Sequence, residues 1–369
     1  MVSDRDHMVH ALSLGRRGLG QTAPNPSVGC VVVRNGRVVG RGWTQPGGRP
    51  HAEAMALAQA GAEARGATAY VTLEPCAHTG QTPPCAKALI EAGVSRVVAA
   101  IEDPDRRVSG RGFEMLRAAG ISVETGLMAE QARWDLRGFL LNRRQGRPEV
   151  TLKLALTVDG RIATASGESQ WITGPQARRE VHAMRARHDA VMVGAGTVRA
   201  DDPSLTVRNL GIAHQATRVV ISRKLDLPDA SLLQRTASQV PVWLLHGKDA
   251  PESARDAWRA AGAQTHEVAL AGRQIDMAAA LACLGELGIC RVFCEGGGLL
   301  AASLMSADLV DRLVVFSAGL ALGAEGQPGL GALGIERLSE APRFDLRDQR
   351  QIGSDTLSIW ENKRFAATR

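Results

Sequence analysis

Residues 28–73 read VGCVVVRNGRVVGRGWTQPGGRPHAEAMALAQAGAEARGATAYVTL, and this stretch decides the fold. Val28 to Val33 is an almost unbroken apolar run, the pattern of a strand buried on both faces. Asn35-Gly36 follows, the strongest short hairpin signal, and Val38-Val39 returns. Pro50 opens an Ala-rich segment, 51–65, with apolar residues at helical spacing, and Ala69 to Leu73 is again strand-like. Working outward, the pattern predicts a helix at 85–92, a strand at 94–101, a helix at 112–119 and a strand at 121–125. A polar, basic stretch, Asn142 to Pro148 (NRRQGRP), then interrupts it, which places a domain boundary between 1–145 and 149–369. The second part restarts with a strand at 150–156, a helix at 175–187 and a strand at 189–194. Further strands are expected at 217–222, 241–246 and 291–295, and helices at 251–261, 275–287 and 299–306. Strand and helix alternate throughout, so both domains are expected to be layered α/β structures.

Length and composition agree. At 369 residues the chain suits two domains, and 44% hydrophobic with 22% charged residues is ordinary for a globular protein. No apolar run approaches the ~20 residues that span a bilayer. The first residues, MVSDRDHMVH, lack the apolar core of a secretory signal, so a cytoplasmic chain with no membrane partner is expected. The net charge of +6 is dispersed, which fits a basic pocket for a small anion as well as a nucleic-acid surface. Aromatic residues at 4% argue against a stacking platform for single strands. Six cysteines in so long a chain make no disulfide framework, which leaves metal binding as the question.

Three segments answer it together: Pro50-His51-Ala52-Glu53, Glu74-Pro75-Cys76 and Pro83-Pro84-Cys85. A catalytic zinc site takes three protein ligands and keeps one position open, and one imidazole with two thiolates meets that count. His51 and Glu53 fall at a helix start. Cys76 closes a strand and Cys85 opens the next helix, where the dipole favours a thiolate. Glu53 need not touch the metal and can carry a proton between the attacking water and a leaving amine. The order H-x-E…P-C…C is that of zinc-dependent nucleobase deaminases, but here eight residues separate the cysteines where that signature has two. Cys30 reads as core. Cys290 and Cys294 lack histidine partners, and His78 is expected to line the pocket.

In the second part, Cys294 to Leu299 (CEGGGL) is a strand end whose glycines open a helix, a place where backbone N–H groups can approach a phosphate. Val193 to Arg208 (VGAGTVRADDPSLTVR) leaves another strand with two glycines, Thr197, paired aspartates and two arginines. Ligands of α/β sheets collect at such carboxyl ends. No G-x-G-x-x-G fingerprint follows the first strand of this part, so a standard Rossmann site is not expected.

In one order along nearly the whole chain, these residues resemble the RibD family, the bifunctional deaminase–reductases of riboflavin biosynthesis. The resemblance rests on Thr22 to Gly29 (TAPNPSVG), PHAE, Thr72 to Cys76 (TLEPC), Thr82 to Cys85 (TPPC), Asp103-Pro104 and Gly110 to Gly112. It continues with Lys153 to Ala155, Ser166 to Thr173 (SGESQWIT), Thr197 to Arg208 and Glu295 to Gly297. It implies a cytidine-deaminase-like N-terminal domain and a dihydrofolate-reductase-like C-terminal domain, using Zn2+ and NADPH. It implies hydrolytic deamination of a ribosylaminopyrimidine phosphate, then NADPH-dependent reduction of its ribose to a ribityl chain, by a homo-oligomer that binds no nucleic acid. Position by position, it implies His51, Cys76 and Cys85 as zinc ligands, Glu53 as proton shuttle, and Asn25 and Asp103 as substrate contacts of the deaminase. For the reductase it implies Ala155, Trp171, Thr197 and the run Gly297, Gly298, Leu299, Leu300, Ala301, Ala302, Ser303 as nucleotide contacts. Ser169, Arg185, Asp201, Leu205, Arg208 and Glu295 are the implied substrate contacts, with Arg185 and Arg208 suited to grip a sugar phosphate bidentately. The chain departs from the family at Thr44, where His is frequent, and at Gln81, where a basic residue is frequent. It also has Asp105-Arg106 in place of Asn-Pro, and Ser222-Arg223 in place of Asp-Ser; Arg223 is suited to the 2′-phosphate of NADPH. The competing readings are a zinc RNA or nucleoside deaminase with a C-terminal binding module, and a regulatory protein with a degenerate enzyme fold.

Overall fold

The computed structural model describes residues 2–78, 83–105 and 108–363. The chain divides into two compact units, Met1–Gly146 and Arg147–Arg369.

The first unit begins with α1 (Asp4–Gly15), whose N-terminus is closed by a reciprocal pair: the Ser3 side chain accepts from the Asp6 amide and Asp6 from the Ser3 amide. There follow β1 (Gly29–Arg34), β2 (Arg37–Trp43), α2 (Ala52–Ala60), β3 (Thr68–Val71), α3 (Cys85–Glu91), β4 (Arg96–Ala99), α4 (Arg111–Ala118), β5 (Ser122–Thr125) and α5 (Ala129–Gln145). The sheet order is β2-β1-β3-β4-β5. β1 runs antiparallel to β2 and β3, while β3, β4 and β5 are parallel. The Asn35-Gly36 turn has both residues at positive φ, 50° and 74°, as the tight hairpin demands. Val31, Val32, Val97 and Ala99 are sealed between helices on both faces, which explains the absence of polar alternation in these strands.

The second unit comprises β6 (Glu149–Thr157), β7 (Arg161–Ala163), α6 (Pro175–Arg185), β8 (Ala190–Gly194), α7 (Ala195–Asp201), β9 (Thr217–Ile221), α8 (Leu232–Arg235), β10 (Val242–His246), α9 (Glu252–Ala260) and β11 (Gln264–Glu267). It continues through β12 (Leu270–Ala271), β13 (Gln274–Ile275), α10 (Met277–Glu286), β14 (Arg291–Cys294), α11 (Gly298–Ser306), β15 (Arg312–Ala318), β16 (Gln327–Pro328), β17 (Phe344–Ile352) and β18 (Asp355–Asn362). Nine strands form one sheet, β11-β10-β9-β8-β14-β6-β15-β18-β17. The run from β11 to β15 is parallel, so their carboxyl ends share one edge, and β18 and β17 are added antiparallel.

Three expectations are corrected. The polar stretch at 142–148 does not interrupt the pattern at its start: residues 142–145 are the last turn of α5, and Gly146 ends it in the left-handed conformation. The segment leaving β8, read above only as a glycine-bearing strand end, contains a short helix, α7. Cys76 lies five residues beyond the end of β3 and does not close that strand. No helix among the described residues is long and apolar enough to cross a membrane.

Candidate active sites

His51 is the N-cap residue of α2, with extended backbone and no capping bond, so its ring is free to turn away from the helix. The helix then carries Glu53 in its first turn. Cys85 is the first residue of α3 and its amide donates to Cys76 Sγ at 3.3 Å. The ligand atoms of His51, Cys76 and Cys85 lie within 4.8 Å of one another. His51 Nδ1 is 3.3 Å from Cys85 Sγ and 3.7 Å from Cys76 Sγ. A tetrahedral zinc with ordinary bond lengths sets nitrogen and sulfur about 3.6 Å apart, and the two observed spacings bracket that value. The neighbouring Cys85 thiol, assisted by the His51 side chain and the Cys85 amide, draws Cys76 down to about 4 despite burial. One thiolate is therefore favoured at neutral pH. Glu53 is 3% exposed, and burial, with the Cys76 charge behind it, pushes its pKa up to about 7.

The pocket above these groups is lined by Asn25, Asp103 and His78 among others. Asn25 donates to the Gly48 carbonyl at 3.2 Å. Burial raises Asp103 to about 6, although its carboxylate accepts from the Asp105 amide at 2.9 Å. Thr44 also lines the pocket, but its hydroxyl accepts the Val28 amide, so it serves the loop. Gln81 and Arg106 lie outside the described residues.

The sequence reading missed Glu74. Its buried carboxylate accepts the amides of Asp103 (3.2 Å), Gly110 (3.0 Å), Gly112 (2.9 Å) and Phe113 (3.3 Å). It thus closes the N-terminus of α4 and ties the Cys76 segment to the Asp103 loop. Gly112 allows this approach, since a Cβ there would stand 2.0 Å from the Pro75 carbonyl oxygen.

In the second unit the functional side chains gather at the carboxyl edge of the parallel strands. Gly297 caps α11 immediately after β14 and donates its amide to Thr197 Oγ1 at 3.2 Å. A Cβ added at Gly297 would meet only Thr197 Oγ1, at 3.7 Å, so the space before this helix end is open to an anion. That cradle fits a cofactor pyrophosphate. Leu299 (84%) and Trp171 (66%) are the strongly exposed apolar residues of the implied nucleotide set. Arg178 covers the Trp171 ring at 4.6 Å. Leu300, Ala301 and Ala302 instead face the core, and Ser303 bonds back to the Leu299 carbonyl, so only the first turn of α11 is presented to a ligand. Ala155 is half-buried on β6.

Glu295 follows β14 and meets Arg185 of α6 in a two-point ion pair. The other terminal nitrogen of Arg185 donates to the Thr206 carbonyl at 2.8 Å. The fork expected to grip a phosphate is therefore directed at Glu295, leaving the exposed Arg208 as the available guanidinium. Leu205 is buried, Asp201 is exposed and raised by desolvation, and Ser169 is half-buried. Lys153, quoted above only as part of a motif, lies on β6 in the field of Glu295, Arg185 and Asp201, with burial lowering its pKa. A lone cation in the apolar run VTLKLAL was the signal for it. Arg223 follows β9, donates to the Arg273 carbonyl at 2.9 Å and stands 3.5 Å from Asp249.

The chain matches the model of the cytidine and deoxycytidylate deaminase zinc-binding region over residues 1–101 and that of the RibD C-terminal domain over residues 148–358. It is 42% identical to riboflavin biosynthesis protein RibD of Escherichia coli strain K12 over 365 residues, 96% of this chain and 98% of that protein. It is 43% identical to the RibD of Haemophilus influenzae over 360 residues, 94% of each. Among solved structures it is similar to Acinetobacter baumannii RibD, with a TM-score of 0.88 at 38% identity, covering 97% of this chain and 98% of that one.

Proposed function

The chain belongs to the RibD family, and from that premise we propose which of its residues carry each step. It is a bifunctional deaminase and reductase of riboflavin biosynthesis that uses zinc and NADPH. We assign deamination of 2,5-diamino-6-(5-phosphoribosylamino)pyrimidin-4(3H)-one to residues 1–145. We assign reduction of the product to 5-amino-6-(5-phosphoribitylamino)uracil to residues 149–369.

His51, Cys76 and Cys85 would hold the zinc. When bound, zinc supplies a Lewis acid that makes water nucleophilic at neutral pH. Glu53 takes the proton of the attacking water and returns it to the amine leaving C2, so water enters and ammonia departs with no net change at Glu53. Its burial beside the ligand set favours the protonated carboxyl that returns a proton to the amine. Asn25 and Asp103 orient the pyrimidine edge, and Glu74 positions the loop that carries Asp103.

In the reductase, Thr197 and the Gly297 to Ser303 segment hold NADPH through the first turn of α11, with Ala155 and Trp171 beside them. NADPH supplies the hydride for C1′ of the ribose. Arg208 holds the sugar phosphate, with Ser169 and Leu205 completing that wall. Asp201 and Glu295, with Lys153 between them electrostatically, face the reacting sugar. Arg185 holds Glu295 in place. Arg223 is offered to the cofactor's 2′-phosphate. We further propose a cytoplasmic homo-oligomer that binds no nucleic acid.

The observation that carries this reading is the convergence of His51, Cys76 and Cys85 beside a buried Glu53, in one chain with an open helix N-terminus at Gly297. A zinc RNA or nucleoside deaminase with a C-terminal binding module is not favoured, because residues 148–358 match a reductase domain. Incubating the purified chain with the diaminopyrimidine substrate and NADPH tests the reading. Ammonia should appear first and NADPH absorbance should fall after it. NADPH oxidation without ammonia release, or neither, would overturn it.

A further inference from the structure

We propose that Arg49 and Arg143 seat the phosphate of the pyrimidine substrate in the first unit's pocket. The proposal rests on the deaminase reading above and goes beyond it, since Asn25 and Asp103 can order a pyrimidine but cannot neutralise a phosphate dianion.

Both arginines line the pocket that holds His51, Glu53 and Cys76. Arg49 precedes the Pro50-His51 step at the mouth of α2, and its charge reaches His51. Arg143 comes from a different element, the last turn of α5. Its guanidinium lies over the Phe139 ring at 5.4 Å, one helical turn earlier on the same face, and its charge reaches Asp103. Phe139 is 7% exposed and itself lines the pocket, so the stacked guanidinium is held at the pocket wall. Among the described residues, the ion pair of Arg143 with Asp105 spans 3.8 Å, longer than a hydrogen bond, so that carboxylate does not close the fork.

Among the described residues, several other polar groups of the pocket are committed elsewhere or carry the wrong sign. The Thr44 hydroxyl accepts the Val28 amide, and Glu74 is filled by four backbone amides. Glu53, Asp103 and Asp105 would repel a phosphate. Two planar guanidinium groups from separate elements of the pocket wall suit its oxygens. Seating the phosphate there would fix the ring above the metal ligands from outside.

The test compares ammonia release from the phosphorylated substrate and from its dephosphorylated counterpart. The variants are Arg49→Ala, Arg143→Ala, their double, and the two Lys substitutions, with zinc content and reductase activity on pre-deaminated substrate as controls. Each Ala variant should raise KM for the phosphorylated substrate roughly tenfold, the low end for hydrogen bonds to a charged group at a half-open site. KM for the dephosphorylated substrate should not move, kcat should hold, and Lys should restore part of the loss. Arg143 is far in sequence from the metal ligands, so it keeps the test decisive should Arg49→Ala lose zinc. An unchanged KM in the double variant, or an equal rise for both substrates, overturns the phosphate seat and leaves the deaminase reading standing. No ammonia from the wild type with either substrate overturns both.

Discussion

The Arg185 guanidinium and the Glu295 carboxylate meet at two points, Nε to Oε1 at 2.6 Å and Nη2 to Oε2 at 3.0 Å. Their side chains are only 12% and 9% exposed. The pair locks the end of β14, where the glycine cradle begins, onto the C-terminal turn of α6. Removing one member leaves a charge buried without its counter-ion, which typically costs about 3–5 kcal/mol. Lys153 also acts on Glu295, so Arg185→Met should fall at the lower end of that range. Urea unfolding followed in the second unit should show this loss, and Arg185→Met with Glu295→Leu should recover most of it. A single variant as stable as wild type would deny that the pair holds the edge together.

For the metal, Cys85→Ser should lose most of the bound zinc, measured by elemental analysis after dialysis. Full zinc in that variant would transfer the ligand role to another residue. Because the three ligands come from separate chain segments, the loss should also lower the thermal midpoint of the first unit.

Glu53→Gln should keep zinc and fold. Glutamine is nearly isosteric but carries no proton back to the amine, and general acid–base catalysis is worth about 10²–10⁴-fold. Ammonia release should therefore fall by that order, while NADPH oxidation on pre-deaminated substrate survives. Deamination at the wild-type rate would remove Glu53 from the mechanism.

The metal trio was legible because His and Cys are uncommon residues whose order, with Glu53 beside His51, survives any loop length. Glu74 was not, because its partners are backbone amides 29 to 39 positions away, which leave no side-chain pattern. The last turn of α5 looked like a linker because Asn142, Arg143 and Arg144 are polar, yet they are helix residues before a left-handed glycine cap. α7 hid behind Gly194, Gly196 and Thr197, poor helix formers that the end of β8 nonetheless starts in a helix. β17 was invisible to hydrophobic alternation because it is the sheet edge, with seven of its nine residues exposed. A polar edge also discourages pairing with another chain.

His188 gives the second unit an acid-side liability. It is buried on the Phe293 ring, donates Nδ1–H to the Met184 carbonyl and pairs Nε2 with the Thr151 hydroxyl. Burial, then the Arg291 charge, lowers its pKa from 6.5 to about 3, with Glu149 pulling the other way. Between those values the unfolded chain binds a proton that the folded chain refuses, so stability falls as pH drops below about 6.5. At pH 5 the loss is about 2 kcal/mol. Asp189, raised by burial to about 6, works in the opposite sense between 3.8 and that value, so the comparison must isolate the histidine. His188→Gln should lose less stability than wild type between pH 7 and pH 5 in urea unfolding. Equal losses would mean the ring titrates normally in the fold.

The last prediction separates the two ligands of the second unit. Arg208 is exposed on the segment after α7, with its amide hydrogen-bonded to His182 Nδ1 at 3.2 Å, so its side chain is anchored at the root and free at the tip. Gly297 stands at the N-terminus of α11, where an added Cβ would lie 3.7 Å from Thr197 Oγ1, the atom its own amide binds. Arg208→Ala should raise KM for the sugar phosphate roughly ten- to a hundred-fold, the scale of hydrogen bonds to a charged group, and Lys should recover part. Gly297→Val should leave that KM in place and weaken NADPH, because a branched side chain keeps the backbone away from the pyrophosphate. Titrating each variant with each ligand crosses the two. If Arg208→Ala weakens NADPH and spares the substrate while Gly297→Val does the reverse, the two pockets at this sheet edge are exchanged. The cofactor would then lie toward α7 and the sugar phosphate on α11.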